Sequence, residues 1–327
     1  MKVLVLGGSG HIGTRLIDKL LTAGIDTVSA SRGNKALVGP VNHLQIDSCD
    51  LVAMKQALKD IDAVINCVAG DAKSIALGAE VLTQAALANN NPQIIHLSTM
   101  AVYGRFEGVA TEQTPLDPSL GWYAAAKCQA ENHIQRYVEH GCCAVILRPG
   151  CVSGPGSQLW VGRIGRWLQA GRLGDLGEQG DGWSNLVHVD DVCHAIINSL
   201  LAHSDFGKCP IYNLSGAGSP RWNQYFVDLA LAIQATPVTR IGRPQLLLDA
   251  YLAGPPLKLL EKSVAKLHLT GVHLADPLPP ALVKFFGQQI QLDGSLAQQQ
   301  LKLSYTDYQT VFQTGVEWLT NRAIDVT

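Results

Sequence analysis

The chain predicts an α/β fold: a doubly wound parallel sheet with a smaller C-terminal lobe. Three observations carry the prediction. Short apolar runs alternate with helical patterns through the first half, glycines cluster directly after the first run, and the texture changes after Arg148. Strands of a parallel sheet read as continuous apolar runs because helices cover both faces.

The first run is Val3–Leu6. Further strands are expected at Thr27–Ser31, His43–Ile46, Ala63–Cys67, Ile94–Ser98 and Ala144–Leu147, with helices near 12–23, 50–59, 74–89 and 118–139 between them. Beyond Arg148, glycine and tryptophan cluster over 154–184, leucines crowd 245–269, and Pro277, Pro279 and Pro280 interrupt the remainder. The expected domains are 1–150 plus about 185–215, which returns to the sheet, and about 151–184 plus 216–327 as the second lobe.

A chain of 327 residues, 47% hydrophobic and 16% charged with a net charge of −2, suits one large globular domain or two closely joined ones. No basic or aromatic-basic stripe suggests nucleic acid. No apolar stretch approaches the roughly 20 residues of a membrane span. The first strand begins so early that no signal peptide is expected. Eight cysteines without a C-x-x-C pair read as buried thiols in a reducing, cytoplasmic compartment, and no metal site is expected.

Gly7, Gly8, Gly10 and Gly13 follow the first strand, and Ile12, Leu16, Leu20 and Leu21 then recur at helical spacing. Strand, glycine turn and helix in that order build a pyrophosphate cradle: the glycines let the backbone come close, and the helix N-terminus offers free N–H groups. The cradle is expected to comprise Gly7, Ser9, Gly10, His11, Ile12 and Gly13, making the sheet Rossmann-type. An NAD site usually ends its second strand with an acid that binds the ribose hydroxyls. Here the strand ends at Ser31 and Arg32, which offer a hydroxyl and a planar cation to a 2′-phosphate. NADP is the expected cofactor, with NAD as the alternative, and Arg32 would otherwise be a solvated turn residue. Asp47 either reaches the adenine edge or is a loop acid facing solvent.

Tyr123 and Lys127 are spaced i, i+4, so a helix sets the ammonium beside the phenol. A free tyrosine titrates at about 10, and a unit charge about 4 Å away supplies most of the roughly 4 kcal/mol needed to bring it near neutrality. The same spacing also occurs in ordinary surface pairs. Ser98 and Thr99 stand at the carboxyl end of the fifth strand, where ligands bind in such sheets. A hydroxyl there either holds a substrate oxygen or caps the strand.

Together these residues resemble the extended short-chain dehydrogenase/reductase family, also called the NAD(P)-dependent epimerase/dehydratases, over nearly the whole chain. Gly7-x-x-Gly10-x-x-Gly13 resembles the nucleotide loop, Thr99 precedes Val102-Tyr103-Gly104 by three residues, and Tyr123 and Lys127 match the reacting pair. Leu147–Gly150 with Gly154-Pro155, Val187–Val192, Tyr212–Leu214 and Gly315–Leu319 also fit. The resemblance implies hydride transfer with Thr99, Tyr123 and Lys127 catalytic. It also implies Asn66, Cys67, Val68, Ala69, Lys127 and Pro149 at the cofactor, and His188 and Asp190 in a structural segment. It implies a homodimer through helices near 74–89 and 118–139.

Two departures bear on the substrate. Cys151 stands where nucleotide-sugar members carry an asparagine, and Trp183-Ser184-Asn185-Leu186 lacks their arginine. A desolvated diphosphate needs charge-assisted bonds, although Arg163, Arg166, Arg172, Arg221 or Arg240 would be able to supply them. The leucines of 245–269 resemble 3β-hydroxysteroid-dehydrogenase-like members, and they suit a lobe core equally well. The expected activity is NADP-dependent hydride transfer to or from a carbonyl or secondary alcohol of a small or apolar substrate. The alternatives are a nucleotide-sugar epimerase, dehydratase or reductase, and a cofactor-sensing regulator without chemistry.

Overall fold

Seven parallel strands form the central sheet of the computed structural model, which describes residues 1–33, 41–202, 208–216, 218–253, 256 and 278–324. In chain order they are β1 (Lys2–Leu6), β2 (Asp26–Ser31), β3 (Asn42–Gln45), β4 (Ala63–Asn66), β5 (Gln93–Leu97), β7 (Ala144–Pro149) and β10 (Ile211–Leu214). Four short strands, β6 (Gly108–Ala110), β8 (Cys151–Ser153), β9 (Leu186–His188) and β11 (Ile290–Leu292), lie outside it. The spatial order β10-β7-β5-β4-β1-β2-β3 is doubly wound, and the chain reverses direction across the sheet between β1 and β4. Ligands bind such sheets in the crevice at the carboxyl ends of the strands flanking that reversal.

Val3, Leu4 and Val5 are completely buried, as a central strand covered on both faces requires. Helices α1 (His11–Thr22), α2 (Leu51–Ala57), α3 (Ala72–Leu87) and α4 (Trp122–Glu139) fall close to their expected places. The fourth starts later than expected because Gly121 takes φ 139°, a conformation that only glycine adopts readily, after a 3₁₀ turn over Pro118–Leu120. Strand β7 runs past Leu147 through Arg148, whose charge looks like a strand end in the sequence. Arg148 stays inside because Glu131 neutralises it there.

Two compact units emerge. The first comprises Met1–Gly150, Val187–Ser215 and Leu292–Tyr305, and the second Cys151–Leu186, Gly216–Gln291 and Thr306–Thr327. In the first, the late segment is tied in by Asn198 Nδ2 donating to the Leu301 carbonyl (2.8 Å) and by the Tyr212 hydroxyl donating to Gln300 Oε1 (3.0 Å). The second contains α5 (Ile164–Gln169) and α7 (Trp222–Ala232), while α6 (Val189–Leu201) belongs to the first. The core of the second unit is aromatic: Trp222, Phe226 and Phe286 are fully buried, with ring centroids 5.0–5.6 Å apart. Of the leucines singled out in 245–269, Leu246 is buried and Leu248 and Leu252 are exposed, while Leu257, Leu259, Leu260 and Leu267 lie outside the described residues. No described helix is long and apolar enough to cross a membrane.

Candidate active site

The glycine turn is shaped by what surrounds it. Gly7 has φ 78°, and a Cβ on it would stand 2.9 Å from the Cys67 carbonyl oxygen at the end of β4. A Cβ on Gly13 would stand 2.8 Å from the Gly8 Cα, so α1 rests directly on the turn. Gly10 caps α1 with no side-chain hydrogen bond, and the first turn carries no acid, leaving the positive end of the helix dipole unopposed. A cavity of about 420 Å³ opens here, within the range of small-ligand sites. It is lined by Gly7, Ser9, Gly10, His11, Ile12 and Gly13, together with Ser31, Arg32, Val68 and Ala69. These residues fit a dinucleotide: the backbone approach a pyrophosphate needs is open, and adding a side chain would close it.

Asp47 stands outside this lining. It is exposed and its carboxylate accepts the Cys49 N–H (3.0 Å), while Ile46 and Ser48 on either side of it line the cavity. Pro149 ends β7, buried beside Leu214, and is likewise not in the lining. At the far end, Ser31 donates its hydroxyl to the Gly33 carbonyl (3.0 Å). Arg32 Nη1 lies 3.6 Å from the Asp71 carboxylate and 3.5 Å from Ser74 Oγ. Asp71 also caps α3 by accepting the Ser74 N–H (2.9 Å), and those bonds hold its carboxyl below the usual range.

Thr99, Tyr123 and Lys127 come together in the same unit. Small residues bring α3 and α4 close: Ala79, Ala126 and Ala130 pack with Ile75, and the Tyr123 ring seats on that cluster. Thr99 follows β5 and caps a 3₁₀ turn by accepting the Ala101 N–H (3.3 Å). With a lone pair committed to that cap, its hydroxyl stands close enough to Tyr123 to favour the charged phenol. Burial pushes the Tyr123 phenol above its ordinary value, and the Thr99 hydroxyl opposes the rise. Lys127 is 2% exposed, and its ammonium donates to the carbonyls of Leu97 (2.7 Å) and Val68 (3.2 Å). Burial brings it down to about 8. The polar group that acts on the phenol is therefore Thr99, and the lysine's charge is directed at two backbone carbonyls.

Arg148, Glu131, Tyr103 and Asn213 form a buried polar network in the same unit, joined from stretches far apart in the sequence. Arg148 Nε and Nη2 meet both carboxylate oxygens of Glu131 at 2.9 and 2.6 Å. Arg148 Nη1 also donates to the Tyr103 hydroxyl (3.0 Å), which in turn donates to Asn213 Oδ1. Glu131 sits one helical turn beyond Lys127 on α4, a spacing that would have flagged it. Asp190 receives Arg15 at 2.6 and 2.8 Å, and its backbone N–H donates to His188 Nδ1 (3.2 Å), joining α6 to α1.

In the second unit, Cys151 and Ser184 are buried, and Ser184 Oγ donates to the Pro220 carbonyl (2.6 Å). Arg221 lies over the Trp183 ring, 4.3 Å from its centroid, and donates to Gln289 Oε1 (2.7 Å). Arg172 is paired with Asp249 at 2.6 Å and Arg240 approaches Asp175 at 4.0 Å. Arg163 stacks on Trp167 at 4.9 Å. All eight cysteines are free, and no cluster of metal-ligating side chains occurs among the described residues.

Sheet order, glycine cradle and the Tyr-x-x-x-Lys helix are those of an enzyme of the extended short-chain dehydrogenase/reductase class. The chain belongs to the NAD dependent epimerase/dehydratase family, whose sequence model matches residues 3–215. It is 26% identical over 311 residues to 2-alkyl-3-oxoalkanoate reductase of Stenotrophomonas maltophilia, covering 89% of each chain. It is 28% identical to dTDP-6-deoxy-L-talose 4-dehydrogenase (NAD(P)(+)) of Kitasatospora kifunensis, over 74% of this chain and 83% of that one. In fold it resembles the UDP-glucose 4-epimerase of Thermotoga maritima, with a TM-score of 0.76 and 18% identity over 99% of this chain and 100% of that one.

Proposed function

We propose that this enzyme is an oxidoreductase moving a hydride between a nicotinamide dinucleotide, preferentially NADP, and a carbonyl or secondary alcohol of a small or apolar substrate. The nearness of the Thr99 hydroxyl to the Tyr123 phenol carries the reading, because it sets two hydroxyls at the sheet's carboxyl edge where one oxygen can meet both. When bound, the dinucleotide supplies or accepts the hydride. The Tyr123 phenol gives a proton to the nascent alkoxide in reduction and takes it back in oxidation. Thr99 holds the same oxygen. The Lys127 ammonium keeps positive charge near the site, and the donor left over from its two carbonyls is assigned to a ribose hydroxyl. The cradle from Gly7 to Gly13 receives the pyrophosphate, and the absence of an acid at the end of β2 with Arg32 at the cavity wall supports NADP.

A reductase among the relatives, aligned over 89% of both chains, supports the carbonyl reading. The second reading, a nucleotide-sugar epimerase, dehydratase or reductase, has support of its own. Arg221 stacked on Trp183 brings a cation to the segment where the sequence shows none, and several relatives are named for dTDP-sugar chemistry.

The test is NADPH consumption over a panel of carbonyl compounds, with Tyr123→Phe beside the parent protein. Turnover should fall by orders of magnitude in the variant with NADPH binding retained, and unchanged turnover would overturn the assignment. Thermal stabilisation by dTDP- or UDP-type ligands, without turnover of simple carbonyls, would favour the second reading.

A further inference from the structure

Asn66 on β4 and His96 on β5 are direct register partners in the central sheet, 3% and 1% exposed. Neither touches the phenol. Asn66 Oδ1 accepts the N–H of Val68 at 3.1 Å, which fixes the orientation of the amide. Its Nδ2 therefore faces His96 Nδ1, also at 3.1 Å. An amide nitrogen only donates, so Nδ1 must accept and the ring proton sits on Nε2. Nε2 has no hydrogen-bond partner among the described residues, which leaves acceptance from Asn66 as the ring's one bonding task. A histidine in an apolar core costs more than a leucine unless that task matters.

The task leads to Lys127. The Val68 peptide is held at its N–H by Asn66, and its carbonyl accepts the Lys127 ammonium. The other carbonyl on that ammonium belongs to Leu97, the residue after His96. Both acceptors thus adjoin the buried pair. The other titratable groups felt by Lys127 are Cys67 and Glu131.

We propose that Asn66 and His96 are positioning residues for Lys127, their hydrogen bond fixing the two carbonyls that hold its ammonium. The functional weight of this rests on the reading of Lys127 as part of the reacting centre; the geometric claim is tested without any substrate.

The experiment follows the side-chain NMR titration of Lys127 in protein carrying ¹³C,¹⁵N-lysine, the signal being assigned by its loss in Lys127→Met. Asn66→Leu and His96→Leu each loosen the Val68 carbonyl, so the ammonium form loses an acceptor and the titration midpoint falls by roughly half a unit or more. His96→Asn restores an acceptor near the Nδ1 position and should bring the midpoint back. The double variant Asn66→Leu/His96→Leu removes the empty His96 acceptor although the Val68 N–H still lacks a partner, so its melting temperature should rise above that of Asn66→Leu while the midpoint stays low. A midpoint that is unchanged in the variants, or that recovers with stability in the double variant, would reduce the pair to a structural role and overturn the proposal. Retained turnover in Tyr123→Phe would instead sink the functional reading and leave this titration result standing.

Discussion

Glu131 and Arg148 form a bidentate ion pair with each side chain only 3% exposed, one from α4 and the other from β7. Burying two charges is costly, and attraction offsets that cost only while both partners are present. Removing one leaves a desolvated charge with no counter-ion. Glu131→Gln should therefore destabilise the fold by about 3 kcal/mol or more. Urea denaturation checks this; a loss below about 1 kcal/mol would mean that water or another group already serves Arg148.

Lys127 gives a prediction of opposite sign. Its folded value of about 8 lies below its ordinary 10.5, so the charged form is penalised in the fold. Below pH 8 both folded and unfolded chains carry the proton and the penalty is complete. As pH rises from 8 towards 10.5 the folded chain sheds the proton first, and the penalty fades. Lys127→Met should then stabilise the protein by about 2 kcal/mol at pH 7, after allowance for the two carbonyls left without a donor. Denaturation at pH 7 and pH 10 should show that advantage shrinking.

Asp190 behaves in the ordinary carboxylate manner. The Arg15 hydrogen bond holds it down at about 2, so the stability it contributes is complete above about pH 4 and lost as pH falls towards 2. Because Arg15 is 44% exposed, solvent screening limits the contribution to about 1 kcal/mol. Asp190→Asn should cost that amount at pH 6 and progressively less in acid, read from melting curves across the range.

The proposed preference for NADP rests on Arg32, which stands 3.6 Å from the carboxylate of its neighbour Asp71. Arg32→Ala should weaken NADPH binding by about tenfold or more while moving NADH little, since only the former offers a phosphate there. Asp71→Asn keeps the cap on α3 yet frees the guanidinium, and should tighten NADPH binding. Titration of each dinucleotide by fluorescence reports both, and equal losses for NADH and NADPH in Arg32→Ala would argue against a 2′-phosphate contact.

The fold was legible because a parallel sheet covered by helices writes itself as apolar runs at regular intervals; β1 and α1 fall within a residue of their expected places. The glycine turn was legible for a local reason, since Gly7 and Gly13 answer to atoms a few residues away or on the adjacent strand. Tyr123 and Lys127 share one helix, so their spacing showed their proximity. Pairings between distant stretches left no such mark. Nothing local joins Asn66 to His96, Arg148 to Glu131, or Arg32 to Asp71, because each pair is made by strand order and helix packing. The spacing of Tyr123 and Lys127 also overstated their mutual influence: it shows nearness along a helix but not the carbonyls of Leu97 and Val68 that take up the ammonium.

The first unit closes only with Leu292–Tyr305, whose bonds reach back to α6 and β10. A ribosome making this chain therefore releases β1 and the glycine turn well ahead of the segment that finishes their unit, which emerges some 290 residues later. Until then the nascent sheet lacks its last neighbours. A product cut short before Leu292 would carry Thr99, Tyr123 and Lys127 and still be an unfinished fold.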